Sequence, residues 1–127
     1  MNEIDLPYVH ITYQAPIVYF RYKEVSIELG FPEIRQMISC AEKLSGLSPY
    51  FTVSDVRNAD VNVTAEGKRV LSDPANMPYF RGTAAIVKNS MYKYAVDFLT
   101  IFDKPKYPFR AFTSEETAVK WLMTLPL

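Results

Sequence analysis

The sequence predicts an open α/β fold: a mixed sheet in which an N-terminal β-hairpin is followed by helix–strand repeats, with four main helices, in one domain spanning residues 1–127. Three observations carry this expectation. The first segments alternate aromatic and β-branched residues, the apolar spacing changes to threes and fours after Pro32, and the later strand-like segments are separated by helical stretches. Helices of about ten residues between strands supply the crossovers that parallel pairing needs.

Leu6–Tyr13 reads as a first strand, with Leu6, Tyr8 and His10 alternating with Pro7, Val9 and Ile11 and with Pro7 marking an edge. Gln14, Ala15 and Pro16 make a turn, and Ile17–Tyr22 returns as the partner strand. Val25–Leu29 is open to two readings, a third short strand or an extended entry to a helix. From Pro32 the residues Ile34, Met37, Ile38, Ala41 and Leu44 form one stripe opposite Glu33, Arg35, Gln36, Ser39, Glu42 and Lys43. Pro32 suits the first turn of that helix and Gly46 its C-terminal cap.

Tyr50–Val56 then reads as a short buried strand. After a loop, Thr64 is placed to cap a helix that Pro74 ends. Gly82–Lys88 has the small and branched residues of a strand covered on both faces. Ser90 is the expected cap of a second periodic helix, with Met91, Tyr94, Ala95, Phe98 and Phe102 on one stripe and Asp103, Lys104 and Pro105 ending it. Tyr107–Phe112 is the last strand. A capping box from Thr113 to Glu116 opens the final helix, whose inner face is Ala118, Trp121, Leu122 and Leu125.

Composition narrows the function classes. With 49% hydrophobic and 22% charged residues the chain is neither disordered nor fibrous, and one cysteine excludes a disulfide scaffold. The formal net charge is zero, which argues against nucleic acid as a partner, although residues 1–80 carry minus three and residues 81–127 plus three. No apolar run reaches the roughly 18 residues of a membrane span. The acidic start Met1-Asn2-Glu3-Ile4-Asp5 lacks the apolar stretch of a secretory signal, so the expected compartment is the cytoplasm.

In an open α/β sheet, ligands gather where the parallel strands end and the following helices begin. The loop after Tyr50–Val56 supplies Asp55, Arg57, Asn58, Asp60 and, at the next helix, Thr64; these form a candidate recognition loop. Asp55 and Asn58 are also the residue types that bond turn amides, and Thr64 serves equally as a plain cap. The single histidine, His10, has no serine, cysteine or carboxylate beside it in the pattern of a catalytic group. Cys40 lies within a helix, where no free amide lowers a thiol pKa. No metal-ligand spacing, phosphate loop or catalytic set is present in the sequence, so neither a cofactor nor an enzymatic activity is expected.

The strand and helix order, with "YFTVSDV" and the stretch from Gly82 to Leu122, resembles the SpoIIAA-like group, which includes the STAS domains of anti-sigma factor antagonists and the CRAL-TRIO lipid-transfer fold. The likeness is to small stand-alone STAS-like proteins, through Pro105, Phe112, Glu115, Glu116, Ala118, Trp121 and Leu122. It runs from about Ile17 to Leu125 and rests on packing features. Antagonists of that type carry an Asp-Ser-Ser-Gly run whose serine is phosphorylated. Here Asp55 matches the preceding aspartate, but the later run is "NVTAEG", with Thr64 the one hydroxyl. The resemblance therefore implies a non-catalytic regulatory or interaction module, binding a protein partner or itself, without the usual phosphoserine. Its lipid-transfer side implies the alternative, a binder of a small apolar or lipid-like ligand, with Tyr79, Phe80, Tyr92 and Tyr94 lining a candidate pocket and Lys88 or Arg81 holding an anionic head group.

Overall fold

The computed structural model describes residues 2–93, 96 and 106–127. Within them the chain runs β1 (Glu3–Asp5), β2 (Val9–Gln14), β3 (Ile17–Tyr22), β4 (Ser26–Leu29), α1 (Phe31–Ser45), β5 (Tyr50–Asp55), β6 (Asp60–Val63), α2 (Ala65–Ser72), a 3₁₀ turn (Pro74–Asn76), β7 (Phe80–Ile86), β8 (Phe109–Phe112) and α3 (Glu115–Leu122). Residues 90–93 begin the remaining expected helix. Its stripe residues Tyr94, Ala95, Phe98 and Phe102, and the stop at Asp103, Lys104 and Pro105, lie outside the described residues.

Six strands make one mixed sheet in the order β1-β2-β3-β5-β7-β8. β1, β2 and β3 pair antiparallel, and β3, β5, β7 and β8 pair parallel, as the hairpin and the helix-spaced strands predict. Alternation along each strand sends side chains to two separate cores. Val9, Ile11, Val18, Phe20, Tyr22 and Tyr50 meet Ile34, Ile38, Ala41 and Leu44 of α1 and Val70 of α2 on one face. Ile17, Tyr19, Phe51, Val53, Ala84 and Ile86 meet Ala118 and Leu122 of α3 on the other.

The caps explain why the helices start and stop where they do. Glu33 Oε1 accepts from the Gly30 backbone N–H at 2.8 Å at the head of α1, and Pro32 sits in the first turn. Gly46, at φ 66°, ends that helix in the left-handed conformation that a residue with a Cβ enters at a cost. Thr64 accepts from the Gly67 N–H at 3.1 Å and so caps α2.

Four local expectations are corrected. The strand expected from Leu6 begins at Val9, because Leu6–Tyr8 forms the turn of a second hairpin, with β1; the Leu6 N–H donates to the Val9 carbonyl at 2.9 Å. The segment after Val25 is a strand, but it leaves the main sheet and pairs parallel with β6, inside what reads as a loop, to form a two-stranded ribbon. The strand expected at Gly82–Lys88 starts at Phe80 and ends at Ile86. Finally, two caps shift by one residue: Asn89 Oδ1 accepts from the Tyr92 N–H at 3.2 Å, and Ser114, not Thr113, accepts from the Thr117 N–H at 3.3 Å.

Candidate functional site

At the carboxyl ends of β5 and β7 the backbone splays to enclose a crevice of about 1050 Å³. Glu24, Val25 and Ser26 form one side, Val56 to Val61 the second, and Val87, Lys88, Tyr92 and Val96 the third. Its chemistry is mixed. Val25, Val56, Val61 and Val87 supply apolar walls, while Glu24, Arg57, Asp60 and Lys88 stand at the mouth. Tyr92 is 53% exposed and Met91, beside it, 79% exposed, and the Lys88 ammonium lies 6.0 Å from the Tyr92 ring centroid.

The charged groups of this loop are largely satisfied by one another. Arg57 grips Asp55 with two side-chain hydrogen bonds, Nε to Oδ1 at 2.9 Å and Nη2 to Oδ2 at 2.7 Å, and its backbone N–H donates to the same carboxylate at 3.2 Å. Burial alone would raise the Asp55 pKa, but these bonds and the guanidinium charge outweigh it and hold the carboxyl below the usual carboxylate range. The same bonds raise Arg57. Asp60 is exposed, and among the described residues its carboxylate accepts one long bond, 3.5 Å, from the Ser26 hydroxyl.

A second space lies under the helices. Between the sheet, α1, α2 and the β4–β6 ribbon is an almost wholly apolar cavity of about 240 Å³. Ile34, Met37, Ile38 and Ala41 of α1 form its roof, Leu29, Val61 and Val63 the ribbon side, and Phe20, Tyr22, Tyr50 and Phe80 part of the sheet side. The sheet also contributes the hydroxyl side chains of Thr52, Ser54 and Thr83. Val56 and Val61 line both this cavity and the crevice.

Residues 11–126 match the family described as Domain of unknown function (DUF7793). The chain belongs to the DUF7793 family. Among solved structures it is similar to an uncharacterized protein of the DUF3478 family from Shewanella loihica PV-4, with a TM-score of 0.56 and 19% identity over 90% of this chain and 91% of that one. That protein has a SpoIIAA-like fold, and the likeness shows the same fold here. No curated protein matches the chain.

The DUF7793 chain brings some of its sequence-predicted residues together and separates others. Asp55, Arg57, Asn58, Asp60, Lys88 and Tyr92 all lie on or beside the crevice. Thr64 does not, being the α2 cap at the far end of β6. The candidate pocket of Tyr79, Phe80, Arg81, Lys88, Tyr92 and Tyr94 is divided. Arg81 lies at the start of β7 and Lys88 two residues past its other end, so the length of the strand separates them. Phe80 lines the apolar cavity, half-buried Tyr79 packs on the same core, and Tyr94 is outside the described residues. Arg81 is tied to backbone instead, donating to the carbonyls of Pro78 at 2.9 Å and Leu127 at 3.4 Å.

His10 and Cys40 stand apart from both spaces. His10 lies between Asp5, 3.0 Å from Nδ1, and Glu3, 3.4 Å from Nε2. It shares a cross-sheet row with Arg21 and Asp55, but Arg21 stands between them and pairs with Glu115 at 2.9 Å. Burial pushes the Cys40 thiol pKa up. Among the described residues no group of three or more His, Cys, Asp or Glu is placed to hold a metal ion, and no helix is long and apolar enough to cross a membrane. The sequence reading missed the hydroxyl side of the cavity, although "FTVSD" carries the signal: Thr52 and Ser54 alternate onto one face of a strand that otherwise reads as buried.

Proposed function

We propose that this DUF7793 domain is a non-catalytic recognition module that binds a partner protein at the crevice beyond β5 and β7. One observation carries the reading: an open space with valine walls and a charged mouth sits where α/β sheets bind their ligands, flanked by the exposed Met91 and Tyr92. The surroundings of three candidate groups among the described residues support it. Asp55 is neutralised by Arg57, His10 is held by two carboxylates, and the Cys40 thiol is pushed away from its reactive form. Replacing Tyr92 with a photoreactive amino acid tests this in cells that carry the protein. A single crosslinked partner is expected, lost when Val61→Glu fills the crevice wall with charge. Crosslinks that persist in that variant, or none at all, refute it.

A second reading, a binder of a small apolar ligand, is favoured by the cavity beneath α1. Its 240 Å³ exceeds the roughly 150 Å³ of an engineered apolar cavity that admits benzene and falls short of the roughly 300 Å³ at which drug-sized sites begin. The occupant is accordingly a small molecule, not a diacyl lipid. Toluene titrated against the side-chain methyls of Ile34 and Ile38 tests it, a saturable shift being expected. Unmoved methyls would end this reading.

A further inference from the structure

A sheet face roofed by an aliphatic helix is ordinarily floored by aliphatic residues as well, since each unpaired hydroxyl buried there costs free energy. This cavity has three hydroxyls on its floor. Thr52 and Ser54, two residues apart, share the helix-covered face of β5. Thr83 joins them through an irregularity in β7. Tyr50 pairs with Phe80, but Thr52 pairs with Thr83, so β7 carries one residue more than its partner and its alternation is reset. Phe80 and Thr83 consequently face the same cavity. Arg81 and Gly82 fill the irregular step, and Gly82 has φ 157° and a site where an added Cβ would stand 3.3 Å from the Pro108 carbonyl oxygen.

The hydrogen bonding of this floor is incomplete among the described residues. Thr52 Oγ1 donates to Thr83 Oγ1 at 2.7 Å, which uses the Thr52 proton and leaves that of Thr83. No described residue accepts it, and the Ser54 hydroxyl has no side-chain partner among them. Both hydroxyl side chains thus border a space whose lining is otherwise apolar.

We propose that the cavity takes a single-ring or short-chain compound that is apolar except for one oxygen, the apolar body lying under Ile34, Met37, Ile38 and Ala41 and the oxygen accepting from Thr83 and Ser54. The assignment rests on the apolar-ligand reading above and adds the polar anchor to it. Toluene and p-cresol separate the two, because they share a ring and a methyl group and differ by one hydroxyl. Both are titrated into the full chain and followed at the methyls of Ile34, Met37 and Ile38. In the wild type both are expected to bind. In the double variant Ser54→Ala with Thr83→Val, p-cresol loses about tenfold in affinity, the upper range for one or two neutral hydrogen bonds, while toluene changes less than twofold. Thr83→Ser, which keeps the hydroxyl, retains p-cresol binding. Equal loss for both compounds, or none for p-cresol, overturns the anchor and leaves the apolar-ligand reading standing; methyls that neither compound moves overturn both. Should the double variant not fold, the wild type decides, since p-cresol that leaves the methyls unmoved where toluene shifts them also overturns the anchor.

Discussion

Replacing Gly67 by alanine should destabilise this protein, although the same change in an exposed helix interior stabilises by about 1 kcal/mol. Gly67 lies buried in the first turns of α2, against the β4–β6 ribbon. A Cβ there would stand 2.6 Å from the Leu29 carbonyl oxygen, 3.0 Å from Val63 Cγ1 and 3.3 Å from Ile34 Cγ1. The first of these is backbone and cannot rotate away. It is also fixed from the other side, since Leu29 O accepts from the Thr64 N–H at 3.0 Å, and Thr64 is the cap of the helix that carries the new methyl. Relief therefore requires α2 to lift from the ribbon, which loosens Val70 from the core. Overpacking of this kind costs about 1–3 kcal/mol, and a backbone clash belongs at the upper end, so about 2 kcal/mol remains after the gain in helix propensity. For a chain of 127 residues that is a fall in Tm of about 5–10 °C. Urea unfolding followed by the fluorescence of Trp121, the one tryptophan, measures it, with exposed Lys68→Ala in the same helix as the control. A Gly67→Ala protein as stable as the wild type would refute the reasoning.

Three further outcomes follow from the same geometry. Thr64→Ala should cost about 1 kcal/mol through loss of the α2 cap, with Thr64→Ser restoring most of it in denaturant titrations. Because the folded-state pKa of Asp55 is depressed, its contribution to stability is present above the unfolded-chain value, about 3.9, and is lost as the pH falls through the folded value. Arg57→Ala removes the two side-chain bonds and the guanidinium charge and leaves burial opposed mainly by the residue-57 backbone N–H, so a ¹³C titration should find the midpoint moved upward; an unmoved midpoint would show that the Arg57 side chain does not hold it. Arg21 and Glu115 are each about 40% exposed at the side chain, and a double-mutant cycle should yield no more than about 1 kcal/mol of coupling; a larger value would contradict solvent screening of the pair.

Much of the fold was legible because its punctuation is local. Pro32 and Gly46 bracket α1, Thr64 opens α2, and the apolar spacing between them has one period. The ribbon was not legible for the opposite reason: β4 and β6 have four residues each and pair across more than thirty positions, so neither periodicity nor turn chemistry announces them. The same contrast divides the candidate residues. Asp55, Arg57, Asn58 and Asp60 are consecutive or nearly so, and Lys88 follows two residues after the neighbouring parallel strand ends, so topology alone brings them to one rim. Tyr79, Phe80 and Arg81 are close to Lys88 in number but precede β7 or open it, and an extended strand separates its ends more than any other element of equal length.

Strand parity is where the reading of the cavity had to fail. Strict alternation from Phe80 would send Gly82 to the helix-covered face and Thr83 to the face packed by α3. The irregular step at Arg81 and Gly82 reverses this, placing Thr83 beside Thr52 while Ala84 and Ile86 go to the α3 side, where the small alanine permits close packing. A bulge is a property of two strands and their register, and nothing in seven residues of one strand encodes it. Its effects reach beyond the cavity, because Val56 and Val61 are walls of both spaces. A molecule seated on the hydroxyl floor would press on the same two valines that a partner at the crevice would touch. The amides of Val56 and Val61 are therefore expected to shift when p-cresol fills the cavity. Shifts confined to the methyls of α1 would show that the shared wall is rigid and the two spaces independent.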